Sequence, residues 1–306
     1  QKNLNLVRQA VGPKAWKHFR FIRGDVTRLS DCYKALGIRP PAAVLRPQKR
    51  VKFRPKFLID IVLHQAGLGS VPRSIANPLA THATNVTGTL NLLVAAKHAG
   101  VKRFVYAASS STYGDSQDLP KKEEKIGEAL SPYAVSKHAD ELYAKVFGRC
   151  YGMETFGLRY FNVFGPRQDP RGAYAAVIPR WIGEILAGQR NVIYGDGKTS
   201  RDFCHVDNVV QANLLAATAK SPGALNQIYN VACGQATTLR DLHSGIRSSF
   251  NKSCSGRKIS PPRHRPFRQG DVRHSLASIA KARRLLGFRA TVLIGEGLEK
   301  TVRWHL

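Results

Sequence analysis

The stretch NVTGTLNLLVAAKHAGVKRFVYAASSS, Asn85 to Ser111, carries the pattern that decides the fold. Its first part has apolar residues at helical spacing up to Gly100, a residue type that commonly ends helices. Its second part, from Arg103, is a short apolar run that changes into serines, which is typical of a buried strand at its end. A helix followed by a buried strand is the repeating unit of a parallel sheet.

The same alternation continues on both sides of this stretch. FRFIRGDV (Phe19 to Val26) and FLIDIVLHQAG (Phe57 to Gly67) are predicted strands before it, and ETFGLRYFNVFG (Glu154 to Gly165) is a predicted strand and loop after it. This order predicts an α/β fold with a doubly wound parallel sheet and helices on both faces. Because ligands bind beyond the carboxyl ends of such strands, we expect HQAGLGSV, ASSSTYG and RYFNVFG to meet in one crevice.

A tyrosine and a lysine stand four residues apart after the second of these strand ends. In SPYAVSKHADELYAK, Ser131 suits an N-cap and the proline suits the first turn of a helix that we expect to run to about Gly148. Residues at i and i+4 share a helix face, so the side chains of Tyr133 and Lys137 project the same way. A nearby cation favours the phenolate, which would make this tyrosine a general base. The spacing alone is also common on ordinary helix surfaces.

Three serines make this pair more informative. Ser109, Ser110 and Ser111 end a predicted strand about two dozen residues before Tyr133. A hydroxyl group at that point can share a hydrogen bond with a substrate alcohol that the tyrosine deprotonates. A serine run alone indicates only a polar turn, but its combination with Tyr-x-x-x-Lys is much rarer and favours an active site.

The composition is that of a soluble globular protein. The chain has 306 residues, of which 43% are hydrophobic and 22% charged. Its apolar runs are shorter than the ~18 residues that a membrane span needs. The first residues, QKNLNLVRQAV, do not resemble a signal peptide. The five cysteines are scattered without a C-x-x-C pair, which favours reduced thiols in the cytoplasm and argues against a zinc site.

The net charge of +28 raises the question of polyanion binding. Basic residues concentrate in RPPAAVLRPQKRVKFRPKF (39–57), which has seven basic residues, four prolines and no acid. Proline and Lys/Arg suit neither a central strand nor a core helix, so we expect an exposed, irregular insertion. The chain has no zinc finger and no aromatic RNA-binding strand, and we therefore do not expect nucleic acid as a partner.

Taken together, these motifs resemble the extended short-chain dehydrogenase/reductase superfamily, and within it the NAD-dependent epimerase/dehydratase family. LHQAGLGSVPRSIANP, NVTGTLNLL, LSPYAVSKHADELYA, YGDGKTSRDFCHVDNVVQA and RQGDVRHS all fall in the order typical of that family. SSSTYGD and RQDPRGAYAAVIP are most similar to the UDP-N-acetylglucosamine 4-epimerase group. Related dehydratases and decarboxylases place a carboxylate in the serine run, and its absence here favours epimerisation.

The resemblance implies a reaction and the residues that perform it. The reaction is NAD-dependent 4-epimerisation of a UDP-hexose through a 4-keto intermediate, with UDP-N-acetylglucosamine and UDP-N-acetylgalactosamine as the main pair and UDP-glucose and UDP-galactose as a further pair. Tyr133 would take the proton from the sugar O4, with Ser109 and Ser110 holding that oxygen. Lys137 would bind the nicotinamide ribose and favour the phenolate.

The resemblance also implies two sets of binding residues. The cofactor-binding residues are Asp25 and Val26 at the adenine, Gln65, Ala66 and Gly67 along the dinucleotide, and Ser109, Tyr133 and Lys137. The substrate-binding residues are Gly69, Ser70, Ser110, Asn162, Ala176, Val177, Arg201, Arg268, Asp271 and Ser275. Ser275 is small, which would leave room for an N-acetyl group on the sugar.

The implied architecture is a Rossmann-like NAD-binding domain at 1–160 and a smaller, mainly UDP-sugar-binding α/β domain at 161–306. Residues 203–232 are expected to return to the Rossmann sheet. The resemblance also implies a homodimer, joined through the helices that contain Asn85 and Tyr133.

One family motif is not found in these residues. The family opens with a strand, a G-x-x-G-x-x-G turn and a helix, whose backbone amides bind the pyrophosphate. The first matching segment here, KNLNLVRQAV, corresponds to a later part of the family pattern. We therefore expect the Rossmann-like domain to be truncated and the 306-residue chain to fold poorly alone and bind NAD+ weakly. A catalytically silent paralogue that binds nucleotide-sugars or polyanions remains the alternative.

Overall fold

The computed structural model describes residues 2–38, 58–172, 175–254, 259–267 and 272–306. The basic segment 39–57 lies outside the described residues, and so do Arg268 and Asp271 of the expected substrate site.

Helices and strands alternate through most of the described chain. The helices are α1 (Lys2–Trp16), α2 (Leu29–Ala35), α3 (Val71–Ala76), α4 (Pro78–His82), α5 (Gly88–Ala99), α6 (Pro132–Tyr151), α7 (Val177–Leu186), α8 (Val206–Thr218), α9 (Leu239–Ser253), α10 (Ala280–Leu286) and α11 (Ile294–His305). The strands are β1 (Ile61–His64), β2 (Arg103–Ser109), β3 (Glu154–Tyr160), β4 (Val163–Phe164), β5 (Val192–Tyr194), β6 (Ser200–Arg201), β7 (Cys204–His205), β8 (Gln227–Val231), β9 (Thr237–Thr238) and β10 (Arg263–Arg265).

The main sheet has four strands in the order β1-β2-β3-β8, and each neighbouring pair is parallel. Strand β2 is central enough to be covered on both faces. Its alternate residues Phe104 and Tyr106 belong to the core that contains α2 and α5, whereas Val105 belongs to the core formed with α8 and α10. This alternation follows from the two-residue period of a strand. The predicted parallel α/β sheet is confirmed.

A third core lies outside the main sheet. Trp181 of α7, Ile246 and Phe250 of α9, and Leu298 of α11 are all buried in it. Short strand pairs accompany these helices, namely β5 with β10, β4 with β7, and β6 with β9. This part of the chain carries Arg201 and Ser275, which are expected at the substrate.

The predicted strand at Phe19–Val26 is wrong. The segment has no strand structure, and no strand within the described ranges pairs with it. A strand is defined by hydrogen bonds to a neighbour, so an apolar run without a paired neighbour does not form one. Strand β1 is also shorter than predicted, and Ile61 and Leu63 on one of its faces are 38% and 46% exposed.

The helix ends follow local signals more closely. Gly100 caps α5 with a φ of 72°, as the sequence predicts. Helix α6, however, continues past the predicted end at Gly148 to Tyr151, and Gly152 caps it at φ 67°. A side chain at position 148 would lie 2.9 Å from the Asn226 Oδ1 atom, so this glycine permits close packing inside the helix instead of ending it.

Candidate active site

The carboxyl end of β2 leads directly into the three consecutive serines. Ser109 is the last residue of the strand, and its Oγ accepts a 3.1 Å hydrogen bond from the backbone N–H of Ser111. Ser109 is buried, whereas Ser110 begins a 3₁₀ turn and lines a cavity. This bond makes the Ser109 hydroxyl the cap of the turn. Ser110 lies beside the cavity.

The start of α6 is determined by its own sequence. Ser131 has an extended backbone, and its Oγ accepts a 3.1 Å hydrogen bond from the N–H of Ala134. Pro132 occupies the first helical position, where a missing N–H is harmless. This confirms the predicted cap, and it places Tyr133 in the first turn with Lys137 one turn later on the same face.

The Lys137 ammonium group is held in a buried position between α6 and the sheet. Its Nζ donates to the carbonyl oxygen of Ala107, at 2.9 Å, and to Oδ2 of Asp140, at 3.2 Å. The side chains of the lysine and the aspartate are only 7% and 1% exposed. The ammonium group therefore has a fixed place under the carboxyl end of β2.

The loop after β1 closes over this pair. A Cβ atom on Gly67 would lie 3.6 Å from Lys137 Nζ, and one on Gly69 would lie 3.9 Å from the Tyr133 hydroxyl oxygen. The loop backbone therefore lies within van der Waals reach of both groups. The structure thus brings Gly67 and Gly69 to the Tyr–Lys pair.

Asn85 fastens that loop to α6, a role that the sequence does not reveal. It is fully buried, accepts a 2.7 Å hydrogen bond from the N–H of Leu68, and donates at 3.2 Å to the carbonyl oxygen of Leu68. Its Nδ2 atom also donates to Oγ of Ser136, at 2.9 Å. These contacts connect residues far apart in the chain, so no local pattern could have indicated them.

Burial changes the charge state of the groups beneath Lys137. Desolvation raises the pKa of Asp140 to about 6, although Lys137 works in the opposite direction. Desolvation, assisted by the charge of Lys137, lowers the pKa of His64 to about 4. The ring Nε2 of His64 lies 3.0 Å from the Thr89 hydroxyl oxygen. At neutral pH the site therefore contains a neutral imidazole below an ammonium–carboxylate pair.

A cavity of about 660 Å³ opens beside Ser110. This volume is in the range of small-molecule sites, which is roughly 300–1,000 Å³. Four of the expected substrate residues line it, although they come from different parts of the chain: Ser110, Asn162, Arg201 and Ser275. Val71, from the segment that follows β1, lines it too, so residues that follow β1, β2 and β3 meet in one crevice, as the order of elements predicts.

Asp202 holds the far wall of this cavity together. Its buried carboxylate accepts hydrogen bonds from the N–H groups of Cys233, Gly234 and Ala277, at 2.8, 3.0 and 3.2 Å. Its own carbonyl oxygen accepts a 3.0 Å bond from the Asn162 side chain. The segment that carries Ser275 is thus anchored to the end of β8, and burial raises the pKa of Asp202 to about 6.

Three more of the expected residues lie in the segment that follows β1. Ser70 caps α3 by accepting a bond from the N–H of Arg73, and Ala66 is exposed in the same loop. The Gln65 side chain donates to Asn213 of α8 at 2.9 Å and accepts from Tyr160 at 3.1 Å. This glutamine therefore connects the loop to α8.

Asp25, Val26, Ala176 and Val177 are not among the described residues that line the cavity, and neither is the Tyr133–Lys137 pair. Asp25 is exposed, with its carboxylate accepting from Thr27, and Val26 packs against Gly88. Ala176 and Val177 begin α7 but are absent from the described lining of the cavity. The contacts of these residues therefore do not indicate a ligand.

The described residues show no group of three side chains placed to bind a metal ion. Within the same ranges, no helix combines the length and the apolar character that a bilayer crossing requires. All five cysteines are free thiols.

Comparison with known proteins agrees with this arrangement. A sequence profile of the NAD-dependent epimerase/dehydratase family matches residues 4–232. This chain belongs to that family. The family predicted from the motifs is confirmed, and with it an isomerase that uses NAD as cofactor.

Individual relatives of this family member are UDP-sugar 4-epimerases. The UDP-glucose 4-epimerase of Mycolicibacterium smegmatis is 36% identical over 250 residues, which is 81% of this chain and 77% of the relative. A UDP-N-acetylglucosamine 4-epimerase from Methanobrevibacter ruminantium, solved with UDP-N-acetylmuramic acid, is 39% identical with a TM-score of 0.74 and covers 80% of this chain and 76% of its own. The Thermus thermophilus UDP-glucose 4-epimerase, solved with NAD, is 30% identical with a TM-score of 0.76. The match covers 94% of this chain and 85% of the Thermus chain.

Proposed function

We propose that this family member interconverts C4 epimers of a UDP-hexose through a 4-keto intermediate. The observation that supports this best is the position of Tyr133 and Lys137. They lie at the start of α6, where Lys137 bonds to the carbonyl oxygen of Ala107 near the end of β2, and beside the glycine loop that follows β1. A phenol, a fixed ammonium group and two hydroxyls at one strand end suit proton transfer to and from a sugar alcohol.

The chain's own groups move the proton. Tyr133, as phenolate, takes the proton from the sugar O4 and later returns it. Ser110 lines the cavity and holds O4 by a hydrogen bond, while Ser109 lies behind it at the end of β2. Lys137 is one turn from the tyrosine, and its positive charge stabilises the phenolate.

The residues present fit the nicotinamide end of NAD. The Lys137 ammonium group lies beside the backbone of Gly67 and can donate to a ribose hydroxyl. A bound nicotinamide would supply the acceptor and the donor of the hydride at C4 of the sugar. Gln65 and Ala66 would follow the dinucleotide, and Asp25 with Val26 would lie at the adenine.

The cavity suits the diphosphate and the sugar. Arg201 carries a guanidinium fork that can bind two phosphate oxygens, and Asn162 lies on the same wall. Ser275 contributes only a small side chain, which leaves space for an N-acetyl group. We therefore propose UDP-N-acetylglucosamine and UDP-N-acetylgalactosamine as the preferred pair, with UDP-glucose and UDP-galactose as poorer substrates.

The other expected contacts remain part of this proposal. Gly69 and Ser70 would lie at the sugar, Ala176 and Val177 would surround the uracil, and Arg268 with Asp271 would complete the nucleotide site.

The surface of α6 supports the proposed homodimer. Val135, Leu142 and Val146 are between 49% and 57% exposed, and their spacing places them along one face of this helix. We also retain the division into 1–160 and 161–306 and the cytoplasmic location as proposals. The alternative of a silent paralogue that binds nucleotide-sugars or polyanions is not favoured, because the relatives of this chain are UDP-sugar 4-epimerases.

The test is direct conversion of the acetylated pair. With NAD+ in large excess, the protein should convert UDP-N-acetylglucosamine to its C4 epimer, and Tyr133→Phe should lower turnover by roughly 10²–10⁴-fold. Tyr143→Phe is the matched control, because Tyr143 lies on the same helix and is exposed. Equal turnover in Tyr133→Phe and in the parent protein would refute the assignment of the base.

A further inference from the structure

The lysine of the proposed catalytic pair does not stand alone in the structure. Its ammonium group contacts the Asp140 carboxylate at 3.2 Å, one helical turn further along α6. The aspartate is 1% exposed, so no bulk water shares its charge. A buried carboxylate this close to Lys137 must affect both the position of the lysine and the field that it produces.

The groups around Asp140 leave its charge to be balanced by Lys137. From β1, His64 faces the same region, and burial lowers the pKa of this ring so that it is neutral near pH 7. From α5, the Thr89 hydroxyl lies beside both the His64 ring and the Asp140 carboxyl group. Neither of these neighbours carries a positive charge.

The other charged groups nearby are already paired or uncharged. Glu141, the next residue on α6, receives two 2.8 Å bonds from Arg159 of β3, and both side chains are at most 3% exposed. From β2, Tyr106 is fully buried, and desolvation raises its pKa well above the usual value, so it is neutral. Lys137 therefore supplies the positive charge that is in direct contact with Asp140.

We propose that Asp140 is a positioning residue, which fixes the Lys137 ammonium group and reduces the positive field that this group presents to Tyr133. This inference rests on the proposed function, in which Tyr133 acts as phenolate. The carboxylate and the carbonyl oxygen of Ala107 occupy two of the three N–H directions of the ammonium group. The third direction remains for the ligand that passes under Gly67.

The sign of the effect follows from the charges. The phenolate is negative, so a nearby carboxylate opposes its formation and the loss of that carboxylate favours it. Positions 133 and 140 are seven residues apart, or about 10 Å along the helix axis. At an effective dielectric constant of roughly 20, one charge at that distance shifts a titration midpoint by about one pH unit.

The effect should also depend on pH in a defined way. Burial raises the pKa of Asp140 to about 6, so its carboxylate is charged above that pH and neutral well below it. An Asp140→Asn variant should therefore differ from the parent protein above about pH 6 and approach its behaviour below.

The experiment measures the phenolate directly and needs no turnover. Near-ultraviolet phenolate absorbance is followed against pH in the parent protein and in Tyr133→Phe, and the difference gives the titration of that tyrosine. The same difference is measured in the Asp140→Asn background. We expect its midpoint to fall by about one pH unit. Asp118→Asn is the matched control, because Asp118 lies in an exposed loop and should cause no shift.

Several outcomes separate this inference from the proposed function. An unchanged midpoint in Asp140→Asn, or an upward shift, would overturn the inference even if the protein is an active epimerase. A downward shift would support it even if no UDP-sugar is converted. Asp140→Ala also removes the charge but changes the packing differently, so it must shift the midpoint in the same direction. If Asp140→Asn does not fold, Asp140→Ala decides the question alone.

Discussion

A buried histidine should make the protein sensitive to acid. His64 is 4% exposed, its Nε2 lies 3.0 Å from the Thr89 hydroxyl oxygen, and its ring packs against Phe104. Desolvation, together with the charge of Lys137, lowers its pKa from 6.5 to about 4. Between these two pH values, the His64 ring is therefore mostly neutral in the folded protein and mostly protonated in the unfolded chain.

The size and direction of the effect follow from this difference. Because the pKa of His64 is depressed in the folded state, its contribution to stability is complete above pH 6.5 and declines as the pH falls towards 4. A shift of this size corresponds to about 3 kcal/mol of unfolding free energy. The raised pKa of Asp140 acts in the opposite direction over nearly the same range, so the parent protein alone does not isolate the histidine.

The comparison with a variant does isolate it. Urea unfolding is measured between pH 7 and pH 4 for the parent protein, for His64→Gln and for the exposed control His82→Gln. His64→Gln should be less stable near pH 7, because its packing is altered, but should lose about 3 kcal/mol less than the parent protein as the pH falls. The control should follow the parent protein. Parallel curves for His64→Gln and the parent protein would refute this reasoning.

Three further variants test the packing of the site and its selectivity. Asn85→Ala should lower the free energy of unfolding by about 2–3 kcal/mol, because the N–H and C=O of Leu68 lose their buried partner; a change under 0.5 kcal/mol in urea unfolding would contradict this role. Ser275→Tyr should abolish conversion of the acetylated UDP-sugars before that of UDP-glucose, with Ser275→Thr as control, whereas equal losses in kcat/KM would contradict the pocket assignment. Arg159→Met should destabilise by about 3–5 kcal/mol, because Glu141 is left buried and unpaired, and the Arg159→Met/Glu141→Leu double variant should recover most of this loss in thermal unfolding.

Local sequence was sufficient for the features that are stabilised within a few residues. The N-cap bond of Ser131 joins residues three apart, and the left-handed conformation of Gly100 concerns one residue, so both could be predicted without knowledge of the fold. The alternation of helices and buried strands also predicted the parallel sheet, because each strand must be apolar on both faces in such a sheet. The pair Tyr133 and Lys137 was found for the same reason, since one helix carries both residues.

Sequence reasoning failed where a feature depends on a distant partner. Phe19–Val26 has the composition of a strand, but strand structure requires a paired neighbour. Glycine commonly ends helices, but Gly148 lies inside α6, where its lack of a side chain permits close packing against Asn226. In both cases the residues favoured the predicted structure locally. The lack of a pairing strand decided the structure of the first segment, and the contact with Asn226 decided that of the second.

The details of the site were decided by tertiary structure. Asn85 contacts Leu68 and Ser136, and His64 lies beside Thr89, through bonds between residues that are 17 to 51 positions apart. Asp140 is an instructive intermediate case, because its spacing from Lys137 could have been seen in the sequence. Spacing shows that two side chains share a helix face, but it does not show whether that face is buried. Only the packing of α6 against the sheet removes water from this pair, and that desolvation raises the pKa of Asp140 and strengthens the interaction between the two charges.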